Sequence, residues 1–407
     1  MATPRPFRIV HCVRSPAGGL LRHLADLARA QSAMGHSVGI ICDSTTIGRF
    51  EAAALESLEP VLALGLLRLP MKRQVSAMAD LSAIHRMYRP IRDAAPDVIH
   101  CHGAKAGVYG RTIGALLRLR GRRPVRIYTP HGGSLHYDPR STEGRIYFGF
   151  ERAMQRFTDG FVFVSDYEKN TFTAKVGAPR APHIRVHNGV SLAECEPIPP
   201  SPAMADFAYV GMLRDLKGPD VLIEALAILR GRDRLRVTAR FVGSGPDRER
   251  YEARVAELGL ADAVTFTGPL PTHEALAQGR IVVVPSRAES LPYIVLETAA
   301  ARVPMLATRV GGIPEIFGPE TPRLLPPGDA DALASAMAMA LADEPTIRRH
   351  TEALGGRVEA QFSIDRMTRD IVGFYAELLA GQRPSPAAAG EAARAAERKP
   401  TRVDHAA

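Results

Sequence analysis

The feature that most constrains this chain is an alternation of strand-like and helix-like runs that repeats over most of its 407 residues. The apolar run FRIVHCV at 7–13, for example, precedes the amphipathic stretch LLRHLADLARAQSAMG at 20–35. Such a rhythm is typical of parallel sheets with helices on both faces. Residues 194–206, ECEPIPPSPAMAD, interrupt it with four prolines and no periodicity. We therefore predict an α/β protein of two Rossmann-like domains, 1–193 and 207–362, that face each other across a cleft.

Composition narrows the class of protein. No apolar run reaches the roughly 20 residues that a membrane-spanning helix needs. The chain starts with a strand-like run and not with an apolar secretory segment, so a cytoplasmic location is expected. Its four cysteines lie far apart without metal-ligand or disulfide spacing, and we expect them to be reduced. Residues 381–407, rich in Ala, Pro, Arg and Glu, are expected to form a disordered tail.

The positive charge is concentrated in the first half. Residues 1–190 carry 27 basic and 14 acidic side chains, a net charge of +13, whereas the remainder carries a net charge of −4. Basic residues flank apolar ones in RLPMKR at 68–73 and in RTIGALLRLRGRRPVR at 111–126. One interpretation is a face that rests on anionic lipid, and the other is an ordinary solvated face. The candidates for a membrane-facing role are Lys72, Arg73, Arg118, Arg120, Arg122 and Arg123. Nucleic acid is not expected, since no nucleic-acid motif or aromatic platform accompanies the charge.

The segment PSRAESLPYIVLETAAARVPMLATRVGGIPE at 285–315 carries the strongest chemical signal. Pro292 suits the start of a helix, so Glu289 should lie in the loop before it and Glu297 one to two turns inside. Backbone N–H groups around Ser290 and Leu291 would then face an anion near the positive end of that helix. The two carboxylates are suited to accept hydrogen bonds from the hydroxyls of a sugar and a ribose.

This segment resembles the donor-binding segment of glycosyltransferase family 4, whose members are retaining nucleotide-sugar transferases with the GT-B fold. The resemblance extends to about residue 380, because further segments similar to family motifs follow in the expected order. These are PAGGLLRHLADLA, DVIHCHG, TPHGG, FVFVS, VHNGV, VGMLRDLKGPDVLIEALA and FVGSGP. The resemblance implies that the amphipathic last helix, 363–380, returns to the first domain.

The resemblance also implies roles for matching positions. His131, in TPHGG, is similar to a histidine that contacts the transferred sugar. Lys217, in LRDLKG, is similar to the lysine that contacts the donor diphosphate, and Glu289 to the residue that holds the donor sugar. We expect these three to be the catalytic residues. His102, in HCHG, has an acceptor-side or a purely structural role.

The donor-binding residues that the resemblance implies are Gly18, Gly19, Arg214, Lys217, Ser290, Leu291 and Glu297. Relatives often carry an arginine directly after the first glycine of the VGMLRDLKG segment. Here Met212 occupies that position, and Arg214 follows two places later. Arg214 is therefore expected to supply the second cation, with its side chain reaching the diphosphate from a position two residues later.

The resemblance implies a hexosyltransferase that uses a nucleotide sugar, with a UDP-sugar preferred and GDP-mannose still open. Its acceptor would be a glycan or a lipid-linked molecule in bacterial polysaccharide or lipopolysaccharide synthesis, at the inner face of the membrane. No cofactor is expected, and no metal, because helix-end amides and Lys217 would neutralise the leaving group and the sequence motifs indicate no histidine cluster. Two alternatives stay open: a non-catalytic binding member of the same fold, and another enzyme class on it, such as a nucleotide-sugar epimerase or a phosphorylase.

Overall fold

The computed structural model describes residues 5–45, 48–72, 74, 76–199 and 201–381, which form two α/β domains. Each domain is built on a parallel sheet whose strands are mostly buried, because helices cover both faces. The expected fold class, two Rossmann-like domains, is confirmed. Arg73 and residues 382–407, which include nearly all of the expected tail, lie outside the described residues.

The first domain contains a seven-stranded sheet in the order β3-β2-β1-β4-β5-β6-β7. Its strands are β1 (Arg8–Val13), β2 (Ser37–Asp43), β3 (Leu66–Leu69), β4 (Val98–His102), β5 (Val125–Thr129), β6 (Gly160–Phe163) and β7 (His183–Arg185). Its helices are α1 (Gly18–Ala33), α2 (Arg49–Glu56), α3 (Ala77–Ala94), α4 (Ala104–Leu119), α5 (Thr142–Met154) and α6 (Asp166–Lys175).

The second domain contains a five-stranded sheet in the order β10-β9-β8-β11-β12. Its strands are β8 (Ala205–Val210), β9 (Ala239–Val242), β10 (Val264–Thr267), β11 (Gly279–Val284) and β12 (Met305–Ala307). Its helices are α7 (Pro219–Gly231), α8 (Arg248–Glu257), α9 (Thr272–Leu276), α10 (Tyr293–Ala300), α11 (Ile313–Phe317), α12 (Ala330–Ala342) and α13 (Glu344–Gln361). Pro292 lies one residue before α10, because its ψ of 128° is extended.

The last helix, α14 (Ile364–Leu379), leaves the second domain and packs on the first sheet. Ser363 caps it by accepting a hydrogen bond from the backbone N–H of Arg366. Its buried residues Ile371, Phe374 and Tyr375 share one apolar cluster with Ile9 of β1 and other residues of the first sheet. The helix is therefore part of the core of the first domain.

The chain crosses between the domains twice, and the crossings are joined by hydrogen bonds. The N–H of Val190 donates to the Phe362 carbonyl at 2.8 Å, and the N–H of Ile364 donates to the Val190 carbonyl at 3.1 Å. The backbones approach so closely that a Cβ atom on Gly189 would lie 2.4 Å from the carbonyl carbon of Ser363.

Two further expectations concern the whole chain. All four cysteines are free thiols, three of them buried and Cys195 partly exposed. In the part of the chain that the structure describes, no helix combines the length and the apolar character that crossing a bilayer requires.

Candidate functional site

The candidate site lies between the carboxyl ends of the two sheets, where ligands bind in open α/β folds. Lys217 lies in a short helical turn after β8, and Glu289 lies in the loop after β11. The Lys217 Nζ atom is 2.6 and 2.8 Å from the two Glu289 carboxylate oxygens, and the Ser286 hydroxyl donates to the same carboxylate at 2.8 Å. Two of the expected catalytic residues thus form one ion pair, of which Glu289 is only 7% exposed.

The loop after Glu289 has its carbonyl groups occupied and its N–H groups free. The Ser290 carbonyl accepts from the N–H of Gly312 at 2.7 Å, and the Leu291 carbonyl accepts from the side chain of Asn188 at 2.8 Å. Among the described residues, no hydrogen bond uses the N–H of Ser290 or Leu291, and the buried Ser290 hydroxyl has no partner. This arrangement leaves donors for an anion or a hydroxyl at the start of α10.

The TPHGG loop of the first domain meets this loop across the cleft. His131 has a φ of +54° and Gly132 a φ of +72°, so both occupy the left-handed region, which is uncommon for a histidine. A Cβ atom on Gly132 would lie 1.9 Å from the Ser290 Oγ atom, so only glycine fits there. The buried Glu168 carboxylate lies behind the loop and accepts from the backbone N–H of Val164 at 2.9 Å. Within the loop, the N–H of Leu135 donates to the Gly132 carbonyl at 3.0 Å.

Glu297 lies inside α10, is 8% exposed and contacts Arg22 of the first domain, whose Nη1 atom is 3.4 Å away. Burial raises the pKa of Glu297 to about 7, although the Arg22 charge acts in the opposite direction. Arg22 also donates to Asp26 and Glu194. These interactions place a cation next to the expected ribose contact.

The two glycines of the first βα loop mark the start of α1. Gly18, with a φ of +55°, is the first residue of this helix, and a Cβ atom on Gly19 would lie 3.4 Å from the ring of Tyr293. The N-terminal ends of α1 and α10 thus converge from opposite sides of the cleft. Both ends carry partial positive charge that suits a diphosphate.

Arg214 is exposed and lies next to the cleft. Burial lowers the pKa of the nearby His136; Glu289 raises that pKa, whereas Lys217 and Arg214 lower it. Arg214 therefore acts on the same electrostatic environment as the Lys217–Glu289 pair. Met212, which occupies the position of the usual arginine, is 40% exposed and carries no charge.

The structure assembles a buried histidine cluster next to the cleft, so the expectation that no such cluster exists is wrong. The members come from four separate places: a strand, a helix, a second strand and the TPHGG loop. They are His11, His23, His100, His102 and His131. Two trios within it bring one nitrogen from each ring within 4.8 Å of the others, close enough to hold a metal ion: His11, His100 and His102, and His23, His102 and His131. Burial lowers the pKa of all five, to about 4 for His11 and His23.

Three of the candidate membrane-facing arginines are already engaged, and they lie far from the cleft. Arg118 donates to Asp159 at 2.7 Å, Arg120 to the Tyr88 hydroxyl at 2.5 Å, and Arg122 to a backbone carbonyl at 2.5 Å. These arginines lie at the C-terminal end of α4, the end away from the cleft. Arg123 beside them and Lys72 near the cleft are both exposed.

Comparison with protein-family models gives the decisive observation. Residues 17–194 match the model described as "Glycosyltransferase Family 4", and residues 205–343 match the model described as "Glycosyl transferases group 1". The chain belongs to glycosyltransferase family 4. The family 4 model covers nearly all of the first domain, and the group 1 model covers Lys217, Glu289 and Glu297.

Curated relatives of this family 4 chain match it over part of their length. The D-inositol 3-phosphate glycosyltransferase of Acidothermus cellulolyticus is 34% identical over 189 residues, which is 43% of this chain and 41% of that protein. The alpha-D-kanosaminyltransferase of Streptomyces kanamyceticus is 34% identical over 178 residues, 42% of this chain and 45% of that protein. The matches thus span about two fifths of these relatives.

Solved structures show the same GT-B fold over almost the whole chain. The sucrose-phosphate synthase of Thermosynechococcus elongatus has a TM-score of 0.76 at 23% identity, covering 93% of this chain and all of that one. Anabaena HepE in complex with UDP has a TM-score of 0.71 at 18% identity, covering 91% of this chain and 99% of that one. At these identities the likeness concerns the fold alone.

Sequence motifs missed several residues at the cleft. His11, His23 and Arg22 lie on β1 and α1, next to motifs already noted, but nothing local indicates that Arg22 and His23 contact the second domain or that His11 lies behind His102. Asn188, in VHNGV, links the domains because its side chain contacts both His23 and the Leu291 carbonyl. His100 and His102 occupy alternate positions in HCHG, and His11 begins HCV. This pattern is a signal that could have been noticed, since alternate strand residues share one face.

Proposed function

We propose that this family 4 protein is a retaining, metal-independent glycosyltransferase that moves a sugar from a nucleotide-sugar donor to a glycan or lipid-linked acceptor. The observation that carries the proposal is the Lys217–Glu289 ion pair beside the free N–H groups of Ser290 and Leu291. A cation and backbone donors are what a departing nucleoside diphosphate requires, and a carboxylate suits the sugar hydroxyls. The family membership supports transfer over mere binding.

In this mechanism the diphosphate lies where α1 and α10 converge, and Lys217 and Arg214 stabilise the negative charge that develops on it. His131 and Glu289 hold the sugar from either side, and Glu297 accepts from the ribose. The acceptor hydroxyl then attacks from the face that the diphosphate leaves, with the departing phosphate oxygen accepting the proton. The step forms one glycosidic bond, breaks the bond from sugar to phosphate, and retains the anomeric configuration.

The direct test is transfer or donor hydrolysis with a panel of nucleotide sugars in the presence of EDTA. We expect Lys217→Ala to lower kcat/KM by about 10²- to 10³-fold, because the cation stabilises charge that develops in the transition state. Arg230→Ala is the matched control, since it removes a surface pair with Asp262 in the same domain. Full activity of the Lys217 variant would contradict the diphosphate assignment, and strict dependence on an added divalent ion would contradict metal independence.

The donor is proposed to be a UDP-sugar, with GDP-mannose as the second choice. A thermal-shift screen of nucleotides and nucleotide sugars would identify it, since a ligand that binds only the folded state raises the melting temperature. Product analysis with donor alone would reveal an epimerase, and nucleotide binding without turnover across all acceptors would favour a non-catalytic member. An inverted anomer in the product, measured by NMR, would contradict retention.

We further propose that the first domain rests on the inner face of a bacterial membrane, where a lipid-linked acceptor for polysaccharide or lipopolysaccharide synthesis would be found. The outer face of α3 supports this, because Met78 and Leu81 are exposed near the cleft and Arg86 and Arg89 lie further along the same stripe. Lys72 precedes the stripe, and Arg120, Arg122 and Arg123 lie at its far end, just after the last residue of α4.

The membrane proposal is tested by flotation with anionic vesicles at low and high salt. We expect binding that weakens with salt, and a loss of binding in the double variant Met78→Glu, Leu81→Glu, because charge there opposes insertion of the apolar end. The control is Met339→Glu, which changes an exposed methionine on α12 of the second domain. Absence of binding to anionic vesicles at low salt would overturn the proposal.

A further inference from the structure

A chain of three hydrogen bonds runs from the interior of the first domain to His131. The Gln31 Oε1 atom lies 2.8 Å from His11 Nε2, and His11 Nδ1 lies 3.0 Å from His102 Nε2. His102 Nδ1 in turn lies 2.9 Å from His131 Nε2. Gln31, His11 and His102 are at most 1% exposed, so water does not compete for these bonds.

The chain has a definite direction because each ring is neutral. Burial lowers the pKa of all three histidines, and a neutral imidazole has one donor nitrogen and one acceptor nitrogen. The Gln31 oxygen can only accept, so His11 must donate from Nε2 and accept at Nδ1. His102 then donates from Nε2 and accepts at Nδ1, and His131 donates from Nε2.

The orientation of the Gln31 amide sets this direction. Its Oε1 atom faces His11 at 2.8 Å, and its Nε2 group is buried without a hydrogen-bond partner among the described residues. The opposite orientation would reverse all three bonds and leave His131 as its Nδ1–H tautomer, so the tautomer of His131 reports which orientation the amide has.

The backbone of the TPHGG loop is held independently of this chain. His131 keeps its left-handed φ of +54° although a side chain disfavours it, which requires support from the surroundings. The turn that follows supplies support, because the Gly132 carbonyl accepts from the N–H of Leu135 at 3.0 Å. With the backbone fixed in this way, the bond to His102 determines which ring nitrogen of His131 remains available.

A metal ion is a weaker explanation for the same cluster. His11 and His102 use both ring nitrogens in hydrogen bonds, and His100 bonds to the Tyr375 and Thr129 hydroxyls. Separations of 2.9–3.0 Å between nitrogens are those of hydrogen bonds. A metal bound to His102 and either neighbouring ring would have to displace the proton that joins them.

We propose that Gln31, His11 and His102 are positioning residues that fix His131 as its Nε2–H tautomer and leave the Nδ1 lone pair to accept from a hydroxyl of the transferred sugar. This inference rests on the proposed function for its substrate, but the tautomer itself does not depend on activity. Among the described residues, no hydrogen bond uses His131 Nδ1, so that atom is available to a ligand.

The kinetic test compares His102→Leu with His102→Asn. The leucine variant removes the acceptor for His131, and we expect kcat/KM to fall by about 10- to 100-fold, as for other supporting partners, with nucleotide affinity unchanged. The asparagine oxygen lies close to the position of Nδ1, so His102→Asn should recover much of the loss. The matched control is His36→Leu. This variant removes a buried imidazole that, among the described residues, is bonded only to the Phe7 N–H, at the amino ends of the strands and away from the cleft. We expect it to change stability and not kcat/KM.

The tautomer is tested in the unliganded protein by ¹⁵N NMR of the imidazole rings. We expect Nε2–H for His11, His102 and His131, and a change at His131 in the His102→Leu variant. An Nδ1–H tautomer at His131, equal losses in the leucine and asparagine variants, or one equivalent of Zn²⁺ that only the wild type retains would each overturn the proposal. Because the NMR needs no turnover, a protein without transferase activity would refute the proposed function but not the assignment of the three histidine tautomers.

Discussion

At the scale of single residues, the site depends on the contact between Gly132 and Ser290. The glycine is required twice, for its positive φ and for the space that the Ser290 hydroxyl occupies. The serine belongs to the second domain, so this contact sets how closely the TPHGG loop and the loop after β11 approach each other. Two small residues thus bring the two domains into close contact at the site.

We expect Gly132→Ala to lower the free energy of unfolding by at least about 1–2 kcal/mol, the cost of a side chain in the left-handed region. It should also reduce kcat/KM, because the methyl group pushes the two loops apart. Urea unfolding and donor kinetics would measure the two effects. In the double variant Gly132→Ala, Ser290→Gly, the clash is relieved but the backbone strain remains. Activity should therefore recover in part, because Ser290→Gly also removes a hydroxyl from the donor loop, and stability should not recover. Equal stability of Gly132→Ala and wild type would contradict this account.

At the scale of elements, a carboxylate from one domain caps a helix of the other. Glu315 of α11 accepts from the N–H groups of Asp166 and Tyr167, the first two residues of α6, at 2.9 Å each. His187 approaches the same carboxylate at 2.9 Å. A negative charge at a helix N-terminus is stabilising because of the helix dipole, so this contact joins the domains.

We expect Glu315→Gln to weaken the closed arrangement by about 0.3–2 kcal/mol, because the charge and one acceptor oxygen are lost. Limited proteolysis of the segment 195–204 should then be faster, while both domains stay folded. Asp329→Asn serves as the control, since Asp329 caps α12 within a single domain and asparagine caps equally well. Unchanged cleavage of the Glu315 variant would show that the contact does not hold the domains together.

The sequence could predict those parts of the candidate site whose residues lie close together along the chain. Lys217, Glu289 and Glu297 lie in contiguous motifs, and strand–helix alternation placed their loops at the carboxyl ends of strands. It could not predict the histidine cluster, because β1, α1, β4 and the loop after β5 come together only in the folded sheet. Nor did periodicity resolve α12, whose residues Ala330–Ala342 are mostly small and apolar and give little contrast between faces.

At the scale of the whole molecule, the positive charge and the clustered histidines lie in different places. The positive charge lies mainly at the surface, and the histidines lie mainly in the interior. Part of the positive charge in the first half lies on exposed helix faces, including Arg86 and Arg89 of α3. The five clustered histidines lie beneath the cleft and stay neutral because burial lowers the pKa of each. The fold therefore carries much of its acid sensitivity in its interior.

We expect stability to fall as the pH is lowered from 6.5 to 4. In this window the unfolded chain binds protons at histidines that the folded protein keeps neutral, so the unfolded state is favoured. Burial raises the pKa of Glu168 and of Glu297 to about 7, and these groups act in the opposite direction between pH 4.5 and 7. Burial also lowers the pKa of His36, His136, His183 and His187 and raises the pKa of Asp26 and Asp370. Nine histidines thus outnumber four carboxyls, so the net change is a loss of stability. Urea midpoints at pH 7.5 and 5.0 would measure it, and an equal or higher midpoint at pH 5.0 would refute it.

The paired crossings between the domains have a mechanical consequence. A domain held by one flexible tether can rotate about three axes, whereas two tethers joined side by side through Val190, Phe362 and Ile364 leave essentially one. Contact between the Gly189 and Ser363 backbones resists twisting about the remaining directions. Motion then reduces to a single angle about a hinge at the base of the cleft. The separation between Gly132 and Ser290, which lie on opposite sides of the cleft, serves as the natural reaction coordinate for opening.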